Sequence, residues 1–212
     1  MPALSRIDNS ATLRGMADIL SDENLMLSYR AGDLLAFKEL YRRHSHGLYR
    51  FVAWRSPRTA WVDEIVQDAW ASLHTARATY QPQAAFRTYL YQIARNRLID
   101  IVRQREALLA SDLSHDDGQS EFDSLADAGH DAMSPEASLE QKQRHAILHA
   151  AIRTLPAEQK EALVLQQFNG MSIEDIAVVT AASAETVKSR LRYAMQKLRA
   201  QLQNLTGEGT MA

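Results

Sequence analysis

The sequence predicts an all-α protein with two small helical domains joined by a flexible acidic linker. On both sides of the middle of the chain, apolar residues recur at three- and four-residue spacing, which is the period of amphipathic helices. Residues 106–138 lose this period and are rich in Asp, Ser, Ala and Gly, so burial there cannot offset the entropy lost on ordering. We therefore expect domains over residues 22–105 and 139–203, with flexible ends at 1–21 and 204–212.

The first domain is predicted to contain four helices, and the second of them begins after the Ala31-Gly32-Asp33 interruption. Their approximate bounds are Asp22 to Arg30, Leu34 to Arg55, Trp61 to Ala76 and Ala84 to Arg105. A loop containing Tyr80 and Pro82 precedes the fourth helix. The residues expected to face the core are Phe37, Leu40, Tyr41, Leu48, Phe51, Ile65, Ala69, Leu73, Phe86, Leu90, Ile93, Leu98 and Ile101.

The second domain is predicted to begin with a helix from Leu139 to Thr154. Pro156 has a fixed φ and no N–H, which suits the first turn of the next helix. That helix is expected to end near Phe168, before Gly170. Ser172-Ile-Glu-Asp175 is a capping-box pattern, so a short helix should open there.

The last two predicted helices form a helix-turn-helix over Ser172 to Arg199. Thr180 to Ser183 supplies a four-residue turn, and Ser183 is a good N-cap for the second helix. The inner stripe of that helix consists of Val187, Leu191, Ala194 and Leu198. Such a helix inserts its N-terminal end into the major groove of DNA. The alternative is an ordinary amphipathic hairpin whose basic face is solvated.

The outer surface of the second helix carries Glu185, Lys188, Ser189 and Arg192. Lys and Arg donate to guanine or to phosphate, and a Glu carboxylate accepts from cytosine N4. The helix therefore has the side chains that direct readout of a base sequence requires.

The net charge of -2 conceals two basic segments separated by an acidic one. Residues 84–105 contain five Arg and one Asp, and residues 184–200 contain three Arg, two Lys and one Glu, so each has a balance of +4. Residues 106–140 contain ten Asp or Glu and no Lys or Arg, a balance of -10. Because local charge governs the attraction of phosphates, the overall charge does not argue against nucleic-acid binding.

The composition excludes several other classes of protein. There is no cysteine among the 212 residues, which excludes disulfides, thiolate metal sites and thiol nucleophiles. No apolar run approaches the roughly 20 residues that span a bilayer. Residues 1–22 lack the basic start and apolar centre of a signal peptide, so we expect a cytoplasmic protein.

Four stretches, in the same order as in the family, resemble the sigma-70 family of transcription initiation factors. They resemble the start of region 2, region 2.2, regions 2.3 to 2.4, and region 4. The matching residues are Ala31-Gly32-Asp33, Ala36-Phe37 and Leu40-Tyr41; Asp63 to Asp68; Phe86 to Asn96; and Leu155-Pro156, Gly170-Met171-Ser172, Glu174 to Ala177 and Thr186 to Leu191. With regions 2 and 4 alone and a short linker between them, the chain is similar to the extracytoplasmic-function (ECF) group.

Two positions depart from the pattern of the family. Ala181 stands in the turn where the family often has Gly, which puts the approach of the second helix in question because Ala favours negative φ. Tyr89 stands where the family usually has Trp, a conservative change for an aromatic anchor.

The resemblance implies that the chain contacts core RNA polymerase, through the clamp and the flap of the large subunits, and promoter DNA. The residues that would face the coiled-coil clamp are Asp63, Glu64, Gln67 and Asp68. Alternatively, these four residues form an ordinary solvated helix surface. The recognition helix would contact the −35 element through Glu185, Thr186, Lys188, Ser189, Arg190 and Arg192.

The resemblance further implies that the helix from Ala84 to Arg105 contacts the −10 element. Capture of extruded bases needs cations for phosphates and groups that form pockets. The candidates are Tyr80, Arg87, Arg95, Asn96, Arg97, Asp100 and Arg103. For Phe86 and Tyr89, a place in the core is the better prediction. The acidic linker would thread through positively charged channels of the polymerase or, alternatively, serve as an extended tether.

An anti-sigma inhibitor is an implied partner, whereas no cofactor is expected. His44, His46, His145 and His149 lack partner ligands at metal-site spacing, and no catalytic motif is present. The competing functional hypothesis is a LuxR-type regulator, which also carries a Thr-Val-Lys motif. That class predicts a ligand-binding or phosphoacceptor domain ahead of the helix-turn-helix, and stable binding to duplex DNA without polymerase.

Overall fold

The computed structural model describes residues 20–111, 144 and 146–207, and within them all regular structure is helical. We number the α-helices in chain order. Their bounds are α1 Asp22–Arg30, α2 Leu34–Arg55, α3 Val62–Ala76, α4 Phe86–Ser111, α5 residues 146–153, α6 Ala157–Gln167, α7 Ile173–Thr180 and α8 Ala184–Gly207. Short 3-10 turns at Thr59–Trp61 and Arg77–Thr79 flank α3. The all-α prediction is confirmed.

Side-chain caps fix where the first two helices begin. The Ser21 hydroxyl accepts from the backbone N–H of Asn24, and the Asp33 carboxylate accepts from that of Leu35 at 2.8 Å. These bonds satisfy backbone donors that have no partner within their helix. Asp22 then ties α1 to α2, because it bonds Arg43 at 2.8 Å and His44 at 2.7 Å. The interruption predicted at Ala31-Gly32-Asp33 is therefore observed.

The core of the first domain consists largely of the predicted residues. Leu40, Leu48, Phe51 and Ile65 are fully buried, and so are Leu73, Phe86, Leu90 and Leu98. Tyr41 is the exception, because 47% of its surface is exposed. Its ring lies on the outer side of α2 and packs against Trp70, with 5.0 Å between the ring centroids. The prediction that Tyr41 faces the core was therefore wrong.

Several helix ends differ from those predicted. Helix α4 continues to Ser111, past the predicted end at Arg105, because residues 106–110 are good helix formers despite their loss of apolar period. Helix α8 runs to Gly207, into the predicted tail. Pro156 precedes α6 as its N-cap instead of occupying the first turn. The remainder of the predicted linker, at 112–138, lies outside the described residues.

The two halves of the chain pack against each other. Helix α4 lies between α3 and α7, while α6 lies against α2, so one continuous apolar cluster includes residues from both halves. Trp54 of α2 reaches across the boundary, with its ring centroid 6.1 Å from that of Phe168 and 4.9 Å from that of His149. The sequence predicted two domains without predicting this contact.

Candidate nucleic-acid interface

The recognition helix α8 is held in place from its inner side. Val187, Leu191, Ala194 and Leu198 are buried, as predicted from their spacing. At the start of the helix, the Ser183 hydroxyl accepts from the backbone N–H of Thr186 at 3.1 Å. The inner stripe and the cap together fix which face of α8 points outward.

The outward face carries most of the residues predicted to contact the −35 element. Glu185, Thr186, Lys188 and Arg192 are exposed, whereas Ser189 and Arg190 are half-buried. Arg190 donates to Glu158 of α6 at 2.7 Å, which fixes its guanidinium at the edge of the helix. The structure therefore brings four of the six predicted residues together on one open surface.

Glu185 and Lys188 form an ion pair at the N-terminal end of α8, with 2.7 Å between Nζ and the carboxylate. This hydrogen bond lowers the pKa of Glu185 and raises that of Lys188, so both are charged at neutral pH. Because both side chains are exposed, little is lost when either exchanges this partner for a base or a phosphate.

The turn between α7 and α8 is built on Ala181, which adopts a left-handed conformation with φ 51° and ψ 43°. Its N–H bonds the carbonyls of Ala177 and Val178, which ends α7 as a glycine would. The left-handed region is strained for an L-residue with a Cβ. Ala181 therefore adopts the turn conformation that Gly would adopt, at a cost in conformational energy.

We expect Ala181→Gly to raise the free energy of unfolding by about 0.5–1 kcal/mol, since relief of the left-handed strain exceeds the entropy that Gly adds to the unfolded chain. Urea titration followed by circular dichroism measures this change. Ala182→Gly is the matched control, and it should lower stability because residue 182 does not have a positive φ. Equal effects of the two substitutions would contradict the strain assigned to position 181.

Helix α4 presents its predicted −10 residues in two groups. Asn96, Arg97, Asp100 and Arg103 are exposed, and Arg97 donates to Ser72 of α3 at 2.8 Å. Arg87 and Arg95 lie on the side of the helix that faces the second domain, where they are half-buried. The first group is thus open to solvent, while the second is engaged within the protein.

Tyr80, predicted to help hold an extruded base, is 2% exposed. Its ring packs against Phe86 and Tyr89, and its carbonyl accepts from Arg30 at 2.7 Å. Burial, with a smaller contribution from Glu23, raises the pKa of Tyr80 to about 12. The aromatic cluster therefore braces the loop before α4 from the inside.

An acidic surface lies on α3, where Asp63, Glu64, Gln67 and Asp68 are all exposed. The opposite side of the helix carries the buried Ile65, Ala69 and Leu73 that anchor it. Glu64 accepts a hydrogen bond from Arg105 of α4, and the guanidinium of Arg105 lies over the ring of Trp61. The four residues predicted to bind polymerase therefore share one face.

Polar contacts join the two domains at the inner side of α4. Glu161 of α6 is 1% exposed and accepts from Arg55 Nε at 3.3 Å and from Arg95 Nε at 3.1 Å. No sequence argument singled out Glu161, although a carboxylate directly before the apolar run Ala162-Leu163-Val164-Leu165 was a usable signal. A charge at a buried helix position requires partners.

A second group of polar contacts lies beside the first. The Tyr91 hydroxyl donates to Asn169 Oδ1 at 2.6 Å, and Arg87 donates to the Asn169 carbonyl at 2.7 Å. Burial raises the pKa of Tyr91. Gly47 of α2 lies against this contact, and a Cβ there would stand 2.8 Å from the Tyr91 hydroxyl and 3.1 Å from Asn169 Oδ1.

Thr88 of α4 donates to the Asp175 carboxylate on α7 at 2.8 Å. Burial alone would raise the pKa of Asp175, but hydrogen bonds from Ser172 and Thr88 bring it below the ordinary value. The carboxylate is therefore ionised at neutral pH, and it both caps α7 and contacts the first domain.

Two of the histidines considered as metal ligands contact other side chains. His44 bonds Asp22, and His149 packs on Trp54. Within residues 20–111, 144 and 146–207, no group of three or more His, Asp or Glu side chains is arranged to hold a metal ion. Across the same residues, no helix is both long and apolar enough to cross a bilayer.

Two protein-family models match the chain in order. The model described as Sigma-70 region 2 matches residues 40–107, and the model described as Sigma-70, region 4 matches residues 138–198. The first range contains α3 and most of α4, and the second contains α7 and most of α8. The alternative prediction of a LuxR-type regulator is not supported, because the half that precedes the helix-turn-helix matches region 2 and is helical throughout its described residues.

Full-length relatives match across both halves. The chain is 31% identical to the ECF RNA polymerase sigma factor SigM of Mycobacterium tuberculosis over 84% of this chain and 83% of that protein. It is 29% identical to the RNA polymerase sigma-H factor of Pseudomonas aeruginosa over 88% of this chain and 96% of that protein. In a co-crystal structure with the anti-sigma factor NepR, the sigma factor RpoE from Bartonella quintana shares the fold, with a TM-score of 0.63 at 22% identity, over 79% of this chain and 96% of that one.

Proposed function

The chain belongs to the extracytoplasmic-function group of the sigma-70 family, whose members direct promoter-specific transcription by RNA polymerase, and we propose how its surfaces divide that task. Helix α8 reads the −35 element, α4 reads the −10 element, and the acidic face of α3 binds core polymerase. The −10 domain comprises residues 22–105, with α4 continuing to Ser111, and the −35 domain comprises residues 139–203.

The outward end of α8 is the observation that carries this proposal. Its N-terminal residues Glu185, Thr186 and Lys188 are exposed, while the buried stripe and the Ser183 cap hold the helix rigidly against α6 and α7. Recognition helices present base-contacting residues at this end. Lys188 and Arg192 donate to bases or phosphates, and Glu185 accepts from cytosine N4. Ser189 and Arg190 contact the DNA backbone at the edge of the interface.

The exposed group on α4 supports the second part of the proposal. Asn96 and Asp100 are spaced by one helical turn and carry an amide and a carboxylate that can bond base edges. Arg97 and Arg103 lie beside them and neutralise phosphates, and Arg87 and Arg95 add positive charge on the side of the same helix that faces the second domain. Tyr80 acts from within, since its ring braces the loop next to this surface.

The acidic face of α3 supports the third part. Asp63, Glu64, Gln67 and Asp68 project together from a helix whose other side is anchored in the core. A rigid carboxylate surface of this kind complements a basic helix of the polymerase. The binding energy gained on polymerase and DNA then drives strand separation, and the chain itself performs no bond chemistry.

We also propose an anti-sigma factor as a partner and the cytoplasm as the location. The sigma factors CnrH and RpoE were each solved with an inhibitor, the cytosolic domain of CnrY and the anti-sigma factor NepR. Core polymerase and chromosomal DNA, the ligands proposed for the three surfaces, are both cytoplasmic in bacteria.

Transcription with purified core polymerase tests the proposal. We expect specific transcripts from genomic DNA only when the chain is added, because core polymerase alone lacks promoter readout. Affinity of the isolated chain for duplex DNA should be low, since each basic segment is short. Tight duplex binding without any effect on core polymerase would overturn the proposal and favour a conventional regulator.

A further inference from the structure

The loop that precedes α4 is held at both of its ends by side chains of α1. At the first end, the Arg30 guanidinium donates to the Tyr80 carbonyl at 2.7 Å. At the second end, the Glu23 carboxylate accepts from the backbone N–H of Phe86, the first residue of α4, at 2.8 Å. These bonds join residues that are 50 and 63 positions apart in the chain, so no local sequence pattern indicates them.

Glu23 caps α4 from a different helix. The residue before Phe86 is Ala85, whose methyl side chain cannot accept a hydrogen bond. The N–H groups in the first turn of a helix have no partner within it, and a Ser, Thr, Asp or Asn at the cap position usually provides one. The carboxylate of Glu23 supplies this acceptor, and its negative charge also suits the N-terminal end of a helix. The start of α4 therefore depends on α1.

Helix α1 is itself fixed to the rest of the first domain. Asp22 bonds Arg43 at 2.8 Å and His44 at 2.7 Å, and both of these residues belong to α2. Glu23 and Arg30 are about two helical turns apart on α1, which places them on the same side of the helix. One anchored helix thus sets the positions of both ends of the loop.

The part of the loop between these two bonds is exposed. Residues 81–85 are all open to solvent, whereas Tyr80 and Phe86 on either side of them are 2% and 0% exposed. The backbone N–H of Gln83 donates to the Gln81 carbonyl at 2.8 Å, and the two side-chain amides bond each other at 3.1 Å. The loop therefore presents ordered polar groups next to the first turn of α4.

We propose that Glu23 and Arg30 are positioning residues for recognition of the −10 element. They hold residues 81–85 and the first turn of α4 in a single arrangement, and this restricts which bases are accepted there. The inference rests on the function proposed for α4, and neither residue needs to touch DNA. A loop that moves can repack around several bases, whereas a loop that is held by supporting contacts discriminates between them.

Replacement of the capping carboxylate tests this inference in the holoenzyme. A promoter that the wild-type holoenzyme transcribes is randomised over its −10 element in one library and over its −35 element in another, and the transcripts are sequenced. We expect Glu23→Ala to lower the preference for the favoured −10 bases by about three- to tenfold, in line with the loss of a helix cap. The −35 preference should not change, because α8 belongs to the other domain. Glu23→Gln should keep most of the −10 preference, since its amide oxygen still accepts from Phe86.

Two further variants of α1 complete the test. Arg30→Ala releases the first end of the loop, and we expect it to lower the −10 preference by about two- to fivefold through loss of a charged hydrogen bond. Because Arg30 is exposed, this variant leaves the core intact and decides the question if Glu23→Ala yields no transcripts. Asn24→Ala is the matched control, since it shortens an exposed side chain next to Glu23, and it should preserve both preferences.

The possible results separate the inference from the proposed function. An unchanged −10 preference in Glu23→Ala and Arg30→Ala would overturn the inference. An equal fall at both promoter elements would also overturn it, and so would an equal fall in Glu23→Ala and Glu23→Gln, because the bond to Phe86 would then not be the cause. If the wild-type holoenzyme shows no base preference at −10, the function proposed for α4 fails, and the inference fails with it.

Discussion

Reversal of two charges on α3, Asp63→Lys/Glu64→Lys, is expected to weaken binding to core RNA polymerase by about 10- to 100-fold. Both side chains are exposed on the acidic face of α3. The substitutions therefore alter the surface proposed to bind polymerase and leave the core intact. A Lys opposite a basic helix replaces attraction by repulsion, and charges that are desolvated at an interface have larger effects than those in water. Pull-down or biolayer interferometry with purified core polymerase measures the loss.

The matched control for this pair is Glu106→Lys/Glu174→Lys, which changes the net charge equally at exposed positions on α4 and α7. It should leave polymerase affinity within about twofold of wild type, because surface charges outside an interface act weakly at physiological salt. Position 64 also faces Arg105, but loss of an exposed ion pair costs little stability. Equal losses from the two double variants, or no loss from either, would refute the docking assignment of α3.

Removal of two cations from the recognition helix, Lys188→Ala/Arg192→Ala, is expected to reduce promoter-specific transcription by about tenfold or more, because each contact to a base or phosphate contributes to discrimination. Both residues are exposed on the outward face of α8, and neither packs in the core. The salt dependence of promoter binding by the holoenzyme should also become shallower for each phosphate contact that is lost.

Lys197→Ala/Arg199→Ala is the matched control for this second pair. It removes two cations from the same helix at exposed positions farther from the N-terminal end. Transcription should stay close to wild type, since only the start of a recognition helix enters the groove. If the two pairs have the same effect, α8 contributes general positive charge and does not read a sequence.

The sequence predicted the helices and most of the core, because the three- and four-residue spacing of apolar side chains records which face of a helix is buried. It failed at Tyr41, where an aromatic residue at core spacing packs beside Trp70 with half its surface exposed. It also failed at the end of α4, since helix propensity continues past Arg105 after the apolar period has stopped. At both places the spacing of apolar residues was given more weight than the packing of surface aromatic rings or the helix propensity of the residues that follow.

The candidate surfaces were predictable for similar reasons, but the contact between them was not. Charges on one helix face, such as Asp63 and Glu64, can be read from local spacing. The pairing of Glu161 with Arg55 and Arg95 joins residues far apart in the chain, and no local pattern records such a pairing. Consequently each surface was predicted as if the other domain were absent.

Gly47 determines how closely α2 packs against Tyr91 and Asn169. In the middle of a helix, Gly costs about 0.5–1 kcal/mol relative to Ala, so α2 bears a permanent local weakness at this position. In return, α2 packs closely against Tyr91, because the Cβ of any other residue at position 47 would lie 2.8 Å from the Tyr91 hydroxyl. A methyl group at position 47 would crowd the Tyr91 hydroxyl within the first domain and the Asn169 side chain of the second, and would loosen the contact between them. Residue 47 therefore limits how closely Tyr91 of the first domain and Asn169 of the second can approach α2.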